Sequence, residues 1–156
     1  MVRAICSREA ARPNMGKKPL RILSIDDDPG CRRATARFFT LVGGHMVEVA
    51  ETAAEGLKKA AALKPDIILL DMSLPDMNGL EVMEALCADS ATRDTPVIII
   101  TGAGLSDAER NGLELKRNFM LLEQKPADFT GILGKIEAAL YGPPCQEAPP
   151  RRHNGR

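Results

Sequence analysis

Four places in this chain carry side chains able to do chemistry. Asp26, Asp27 and Asp28 stand in a row, Asp71 ends the run IILLD, Thr101 ends VIIIT, and Lys125 precedes Pro126. Three adjacent carboxylates raise one another's pKa and destabilise a fold unless a cation screens them. Carboxylate and carbonyl oxygens with retained waters are what Mg2+ accepts. On that reading Asp27 and Asp71 are the direct ligands, Asp26 orients a metal-bound water, and Asp28 is left to cap a helix. Each residue also has a plainer reading: solvated loop acids for the triplet, a turn residue for Asp71, a strand exit for Thr101, a surface lysine for Lys125. All of these together, at four strand ends, is a much less economical account than one shared cleft.

The elements that must position these groups are legible. Ile22–Ile25, Ile67–Leu70, Val97–Ile100 and Met120–Leu122 are short, almost continuous apolar runs, as expected of parallel strands covered on both faces. Met46–Ala50 alternates and suits an edge strand. Helical patterns fill the gaps. Asp28 followed by Pro29 marks a helix start, with Cys31, Ala34, Phe38 and Leu41 on its apolar stripe. Thr52 with Glu55 has the spacing of a capping box, Asn78-Gly-Leu-Glu81 opens a third helix, and Ser106-Asp-Ala-Glu109 caps a fourth. The third helix turns Leu80, Met83, Leu86 and Cys87 inward. Asp128 opens a fifth helix carrying Phe129, Ile132, Leu133, Ile136 and Leu140, stopped at Gly142-Pro143-Pro144. Strand and helix alternate five times, which predicts an α/β fold with a doubly wound five-stranded parallel sheet. Such sheets keep their ligands at the carboxyl ends of the strands. Neighbouring strand ends are about 5 Å apart, so the four motifs are predicted to converge.

Composition narrows the function classes. The chain has 156 residues with equal numbers of basic and acidic side chains, 21 each. That length suits one domain with a proper core. The basic charge is concentrated at the ends, and residues 20–142 are net acidic. This argues against a folded basic surface for DNA and predicts no direct DNA binding. The basic ends read as solubilising tails, residues 1–19 and 143–156, flanking a domain at 20–142. Four cysteines without a CxxC pair, and two histidines, give a zinc site little support. A reducing, cytoplasmic setting is expected. No segment reads as a signal peptide or membrane span, so no membrane role is expected.

The four motifs together resemble the response-regulator receiver domain of two-component signalling: ILSIDDDP, IILLDMSLPDMNGLE, VIIITGA and QKPAD, in that order over residues 20–141. The resemblance implies a flavodoxin-like sheet of strand order 2-1-3-4-5. It implies that Asp71 accepts a phosphoryl group from a phosphohistidine on a histidine kinase or histidine phosphotransfer protein. It implies Mg2+ held by Asp26, Asp27, Asp71 and the backbone carbonyl of Ser73, with Thr101 and Lys125 contacting the phosphoryl oxygens. Pro126 resembles the family's cis proline. The activity implied is that of a regulator assisting its own phosphorylation and dephosphorylation, not a turnover enzyme. Its downstream target would be a protein docked on the face of the fourth helix, fifth strand and fifth helix, a face through which many members also form homodimers.

Three departures bear on that reading. Leu122 stands where the family often has an aromatic switch residue, so the usual threonine–aromatic swing is not expected. LELKRNFML differs from the family's run before the fifth strand and is expected to lengthen the fourth helix or its loop. Ser73 and Ala103, two residues beyond Asp71 and Thr101, are small, which predicts an acyl phosphate lasting minutes. The C-terminal stretch reads as a natural end and slightly favours a stand-alone, chemotaxis-type receiver over a fragment of a longer regulator. Two rivals remain on the sequence: a receiver-like interaction module that is not phosphorylated, and an aspartate-based phosphohydrolase using the DxD spacing of Asp26 and Asp28.

Overall fold

Apolar runs become strands and amphipathic stretches become helices in strict alternation: β1 (Arg21–Ile25), α1 (Pro29–Leu41), β2 (Met46–Ala50), α2 (Ala53–Leu63), β3 (Ile67–Leu70), α3 (Gly79–Ala88), β4 (Val97–Thr101), α4 (Asp107–Glu114), β5 (Phe119–Gln124) and α5 (Phe129–Tyr141). The computed structural model describes residues 17–142 except Ala103. The expectation for Ala103, and those for residues 1–16 and 143–156, lie outside the described residues.

All strand pairs are parallel, and the order is β2-β1-β3-β4-β5, as expected. Because side chains alternate across a strand, each strand feeds two cores. Leu23, Ile25, Ile68, Leu70, Val97 and Ile99 pack with α2, α3 and α4. Ile22, Ile67, Leu69, Ile98 and Ile100 pack with Phe39 of α1 and with Ile132 and Ile136 of α5. β1, β3 and β4 are buried along almost their whole length, which explains their uninterrupted apolar sequence. β5 reads like them but is a half-buried edge strand.

The caps form where the sequence places them. Asp28 accepts from the Cys31 N–H and Thr52 from the Glu55 N–H, but the Glu55 carboxylate accepts from the Glu51 N–H instead of that of Thr52, so the reciprocal capping boxes close at Asn78–Glu81 and Ser106–Glu109 and not at Thr52–Glu55. Two helical stripes shift from expectation. In α1 the buried residues are Thr35 and Phe39, and Leu41 is 74% exposed. In α5 Leu140 is exposed while Ile132 and Ile136 are buried. Both misplaced leucines lie in the last turn of their helix, and Leu41 is also off the face that carries Thr35 and Phe39.

The fourth helix is not lengthened. It ends at Glu114 after eight residues. Residues 115–118 form a turn, with the Phe119 N–H donating to the Lys116 carbonyl. The departure from expectation is taken up in the sheet: Val97 faces Phe119 but Ile98 faces Leu121, so the ladder bulges at Met120. Beyond the bulge the register is regular, and Thr101 faces Gln124.

The two chain ends of the described fold meet. Lys17 pairs with Glu137 at 3.2 Å, and the Tyr141 hydroxyl donates to the Lys18 carbonyl.

Candidate functional site

Three backbone hydrogen bonds extend the ladders one residue past the strand ends and fix where the functional side chains start. The Asp26 N–H donates to the Ala50 carbonyl at 3.1 Å, the Asp71 N–H to Ile25 at 2.9 Å, and the Lys125 N–H to Thr101 at 2.8 Å. Asp26, Asp71 and Thr101 are buried, at 8%, 6% and 2% exposure. Lys125 reaches across the cluster. Its Nζ donates to Asp26 Oδ2 at 2.8 Å and to Asp71 Oδ2 at 2.7 Å. Burial penalises the ammonium, but the hydrogen bonds and charges of Asp26 and Asp71 outweigh it and hold the pKa above that of an ordinary lysine. The peptide bond from Lys125 to Pro126 is cis.

The carboxylates are held from their other side as well. Asp26 Oδ1 accepts from the Asp28 N–H at 2.8 Å, and Asp71 Oδ1 accepts from the Ser73 N–H at 3.0 Å. The Ser73 bond turns the chain back over Asp71. That turn is closed by a bridge between Ser73 and Asn78 and by the Gly79 N–H on the Met72 carbonyl at 2.9 Å. Asp76, midway round the turn, accepts from the N–H groups of Ala53 and Ala54 at 2.9 Å each, tying the turn to the start of α2. These two bonds, Ala54's first, lower its pKa.

Asp26, Asp27 and Asp71 each offer an oxygen within 4.8 Å of the others'. Asp27 is exposed and makes no other hydrogen bond through its carboxylate among the described residues. Three carboxylates against one ammonium leave an excess of negative charge at close quarters. An all-oxygen set of that charge and spacing fits a hard divalent cation that keeps some of its waters. Asp28 stands outside the cluster because its carboxylate caps α1. The DxD spacing of Asp26 and Asp28 therefore does not present two carboxylates to one site, which disfavours the phosphohydrolase reading.

Arg32 was not singled out by the sequence. One guanidinium nitrogen donates to the carbonyls of Asp26 and Asp27, at 2.8 and 2.9 Å, and the other pairs with Glu51 at 2.7 Å. It clamps the backbone of the acid junction. The only signal was its place one turn inside α1, which any solvated helix arginine shares. Leu122 faces Ile99 in the β4–β5 ladder. Beside it Thr101, Leu105, Arg110 and Gln124 line a cleft of about 290 Å3.

Residues 22–137 match the family model of the response regulator receiver domain. The chain belongs to the response regulator receiver family. Protein PilH of Pseudomonas aeruginosa is 33% identical over 128 residues, covering 78% of this receiver and 98% of that protein. The phosphate regulon transcriptional regulatory protein PhoB of the same organism is 33% identical over 134 residues, covering 82% of this receiver and 56% of that protein. The DNA-binding regulator RpaA of Synechocystis is 32% identical over 120 residues. This receiver thus spans about half the length of the transcriptional regulators it matches. Among solved structures, a CheY-like receiver domain protein from Methanospirillum hungatei has 30% identity and a TM-score of 0.70 over 80% of this chain and 95% of that one. Among the described residues no helix is long and apolar enough to cross a membrane.

Proposed function

We propose that this receiver accepts a phosphoryl group on Asp71 from a phosphohistidine of a histidine kinase or histidine phosphotransfer protein. The observation that carries the reading is Lys125, whose ammonium bridges Asp71 and Asp26 at 2.7 and 2.8 Å. It sits beside the oxygen cluster that a divalent cation would need. In the step, a carboxylate oxygen of Asp71 bonds to phosphorus as the bond from phosphorus to the histidine nitrogen breaks. The imidazole leaves and an acyl phosphate forms.

Little covalent chemistry falls to the protein, and catalysis is positioning plus charge stabilisation. Asp71 is aimed by the Ser73 N–H and by its backbone bond to Ile25. The Lys125 ammonium is placed to take one phosphoryl oxygen, and the Thr101 hydroxyl another. Magnesium, held by Asp27, Asp71 and the Ser73 carbonyl with Asp26 orienting a bound water, would neutralise charge on the transferring group. Thr101 and Leu122 share the cleft on the α4–β5 side. The response then passes to a protein target on the α4–β5–α5 face by repacking around Leu122, without a hydroxyl or ring to swing.

The test is intact-mass measurement after incubation with acetyl phosphate and Mg2+. The wild-type protein gains one phosphoryl group, and Asp71→Asn gains none. An unmodified wild type, or a modified Asp71→Asn, contradicts the proposal.

A further inference from the structure

The end of α3 is tied to the start of β5 by two side-chain rungs, at the opposite end of the parallel sheet from Asp71. Lys116 pairs with Glu84 at 3.1 Å. A turn further along α3, the Cys87 thiol donates to Asn118 Oδ1 at 3.0 Å. Asn118 is itself part of the sheet's hydrogen bonding, since its backbone carbonyl accepts from the Val97 N–H at 2.8 Å. Its carboxamide is thus presented to the sulfur from a fixed backbone.

Only one arm of that carboxamide is used. Asn118 is 4% exposed, and its Nδ2 has no hydrogen-bond partner among the described residues. Buried polar atoms are bonded as a rule. Thr92, at 1% exposure, follows the rule: its hydroxyl donates to the Leu86 carbonyl at 2.8 Å. Turning the Asn118 carboxamide over would set Nδ2 on the sulfur and leave Oδ1 unpaired, so one arm is unmatched in either orientation. A thiol is a weak donor and a weak acceptor, and it serves one arm at a time.

An oxygen on the sulfur would serve both. A sulfenic acid carries an O–H donor and acceptor lone pairs on a single atom. Its O–H can donate to Oδ1 while the same oxygen accepts from Nδ2. The thiol form leaves a buried donor unpaired and the oxidised form pairs it, so the site favours the first rung of cysteine oxidation. Cys87 is half-buried, which leaves its sulfur open to a reagent as small as a peroxide. We propose that Cys87 is a site of oxidation to sulfenic acid by hydrogen peroxide, with the Asn118 carboxamide holding the product. In the step, sulfur bonds to one peroxide oxygen as the O–O bond breaks. The thiol proton ends on the departing oxygen, which leaves as water. Sulfur gives up two electrons and the peroxide takes them. None of this rests on phosphoryl transfer to Asp71, and the test uses unphosphorylated protein.

Cys31, the other cysteine among the described residues, is the internal comparison. It is half-buried too, and burial pushes its thiol pKa above the ordinary value, only partly offset by Lys125. The thiolate is the nucleophile, so Cys31 is the poorer target. The 156-residue protein is treated with hydrogen peroxide, the peroxide is removed with catalase, and dimedone is added after a delay. Dimedone traps a surviving sulfenic acid as a thioether with loss of water, and mass spectrometry of the digested protein reads each cysteine separately. The expected result is an adduct at Cys87 that exceeds the one at Cys31 severalfold. Asn118→Ala removes both arms, and Asn118→Asp keeps the acceptor and removes the donor. Each lowers the Cys87 adduct about threefold or more, while iodoacetamide alkylates reduced Cys87 no more slowly in Asn118→Ala than in the wild type. No adduct at Cys87, as much adduct at Cys31, or an unchanged Cys87 yield in both variants overturns the proposal. So does an alkylation rate that falls in parallel with the adduct, which would assign the loss to access.

Discussion

Arg32 shows how a residue that touches no reacting atom can set a site. Its guanidinium holds the carbonyls of Asp26 and Asp27, so it fixes the backbone from which two of the three clustered carboxylates project. Groups that orient ligands in this way typically cost about 10–100-fold in metal affinity when removed. Arg32→Met is therefore expected to weaken Mg2+ binding about tenfold with little loss of fold, measured by titrating Mg2+ against amide shifts of the cluster. Equal Mg2+ affinity in the variant would reduce Arg32 to a surface arginine. His45 argues a different point at the same scale. It is 4% exposed, its Nδ1 accepts from the Leu20 N–H at 3.4 Å, and its Nε2 has no partner among the described residues. Burial, opposed by Glu137 and reinforced by Lys17, pushes its pKa below the ordinary value. The unfolded chain then binds the proton more readily than the folded one. This stability is fully present above about pH 6.5 and is lost as pH falls through the depressed value. Denaturant midpoints should therefore fall between pH 7 and pH 5 in the wild type, and the slope should flatten in His45→Gln.

Elements carry the same argument in their junctions. Gly79 opens α3 directly against Met72, the residue after Asp71. A Cβ built there meets the Met72 sulfur at 2.4 Å and its Cα at 2.9 Å. The sulfur can move, but the backbone atom can move only by displacing the Asp71 junction. Gly79→Ala is expected to cost about 1–3 kcal/mol by overpacking and to slow acetyl phosphate labelling, whereas Gly134→Ala, in open space inside α5, is expected to stabilise by about 0.5–1 kcal/mol and to leave labelling unchanged. Much of this layer was legible beforehand, because capping residues and buried parallel strands follow local rules. Asp28, Thr52, Asn78 and Ser106 all cap as their spacing says. What stayed hidden depends on contacts between distant segments. LELKRNFML suggested a longer fourth helix or loop; the helix ends at Glu114, and the bulge at Met120 is set by pairing with Val97 and Ile98. Leu41 belongs to the apolar stripe by period, yet is exposed because the buried face of α1 runs through Thr35 and Phe39, about half a turn away from it. That Asp26, Asp27, Asp71 and Lys125 come together was readable, since each follows a strand's carboxyl end. Arg32 and Asp76 were not, since both act through backbone groups that any sequence supplies.

At the scale of the whole molecule the fold closes outside the segment that matches the family. The match covers residues 22–137, but Leu20 is 7% exposed and belongs to the core shared by α1 and α5. Tyr141 packs against that same core, and its hydroxyl holds the Lys18 carbonyl. The Lys17–Glu137 pair ties the segment before β1 to α5, and the bond from the Arg21 N–H to Asp66, at 2.7 Å, ties the start of β1 to that of β3. The exposed ion pair contributes little. The buried leucine does more, since complete burial of such a side chain stabilises by about 1.5–3 kcal/mol. A chain trimmed to residues 17–142 keeps every one of these contacts together with all the site residues. It should melt where the 156-residue chain melts and should gain the same single phosphoryl group from acetyl phosphate. Trimming to residues 22–137 removes Leu20 and Tyr141 together and should lower the melting temperature by about 5–10 °C. The strand ends would remain, so some labelling of Asp71 should persist below that melting point. Calorimetry on the two trimmed chains beside the parent checks the argument: equal melting temperatures for all three would show that the clasp between the chain ends adds nothing to the fold.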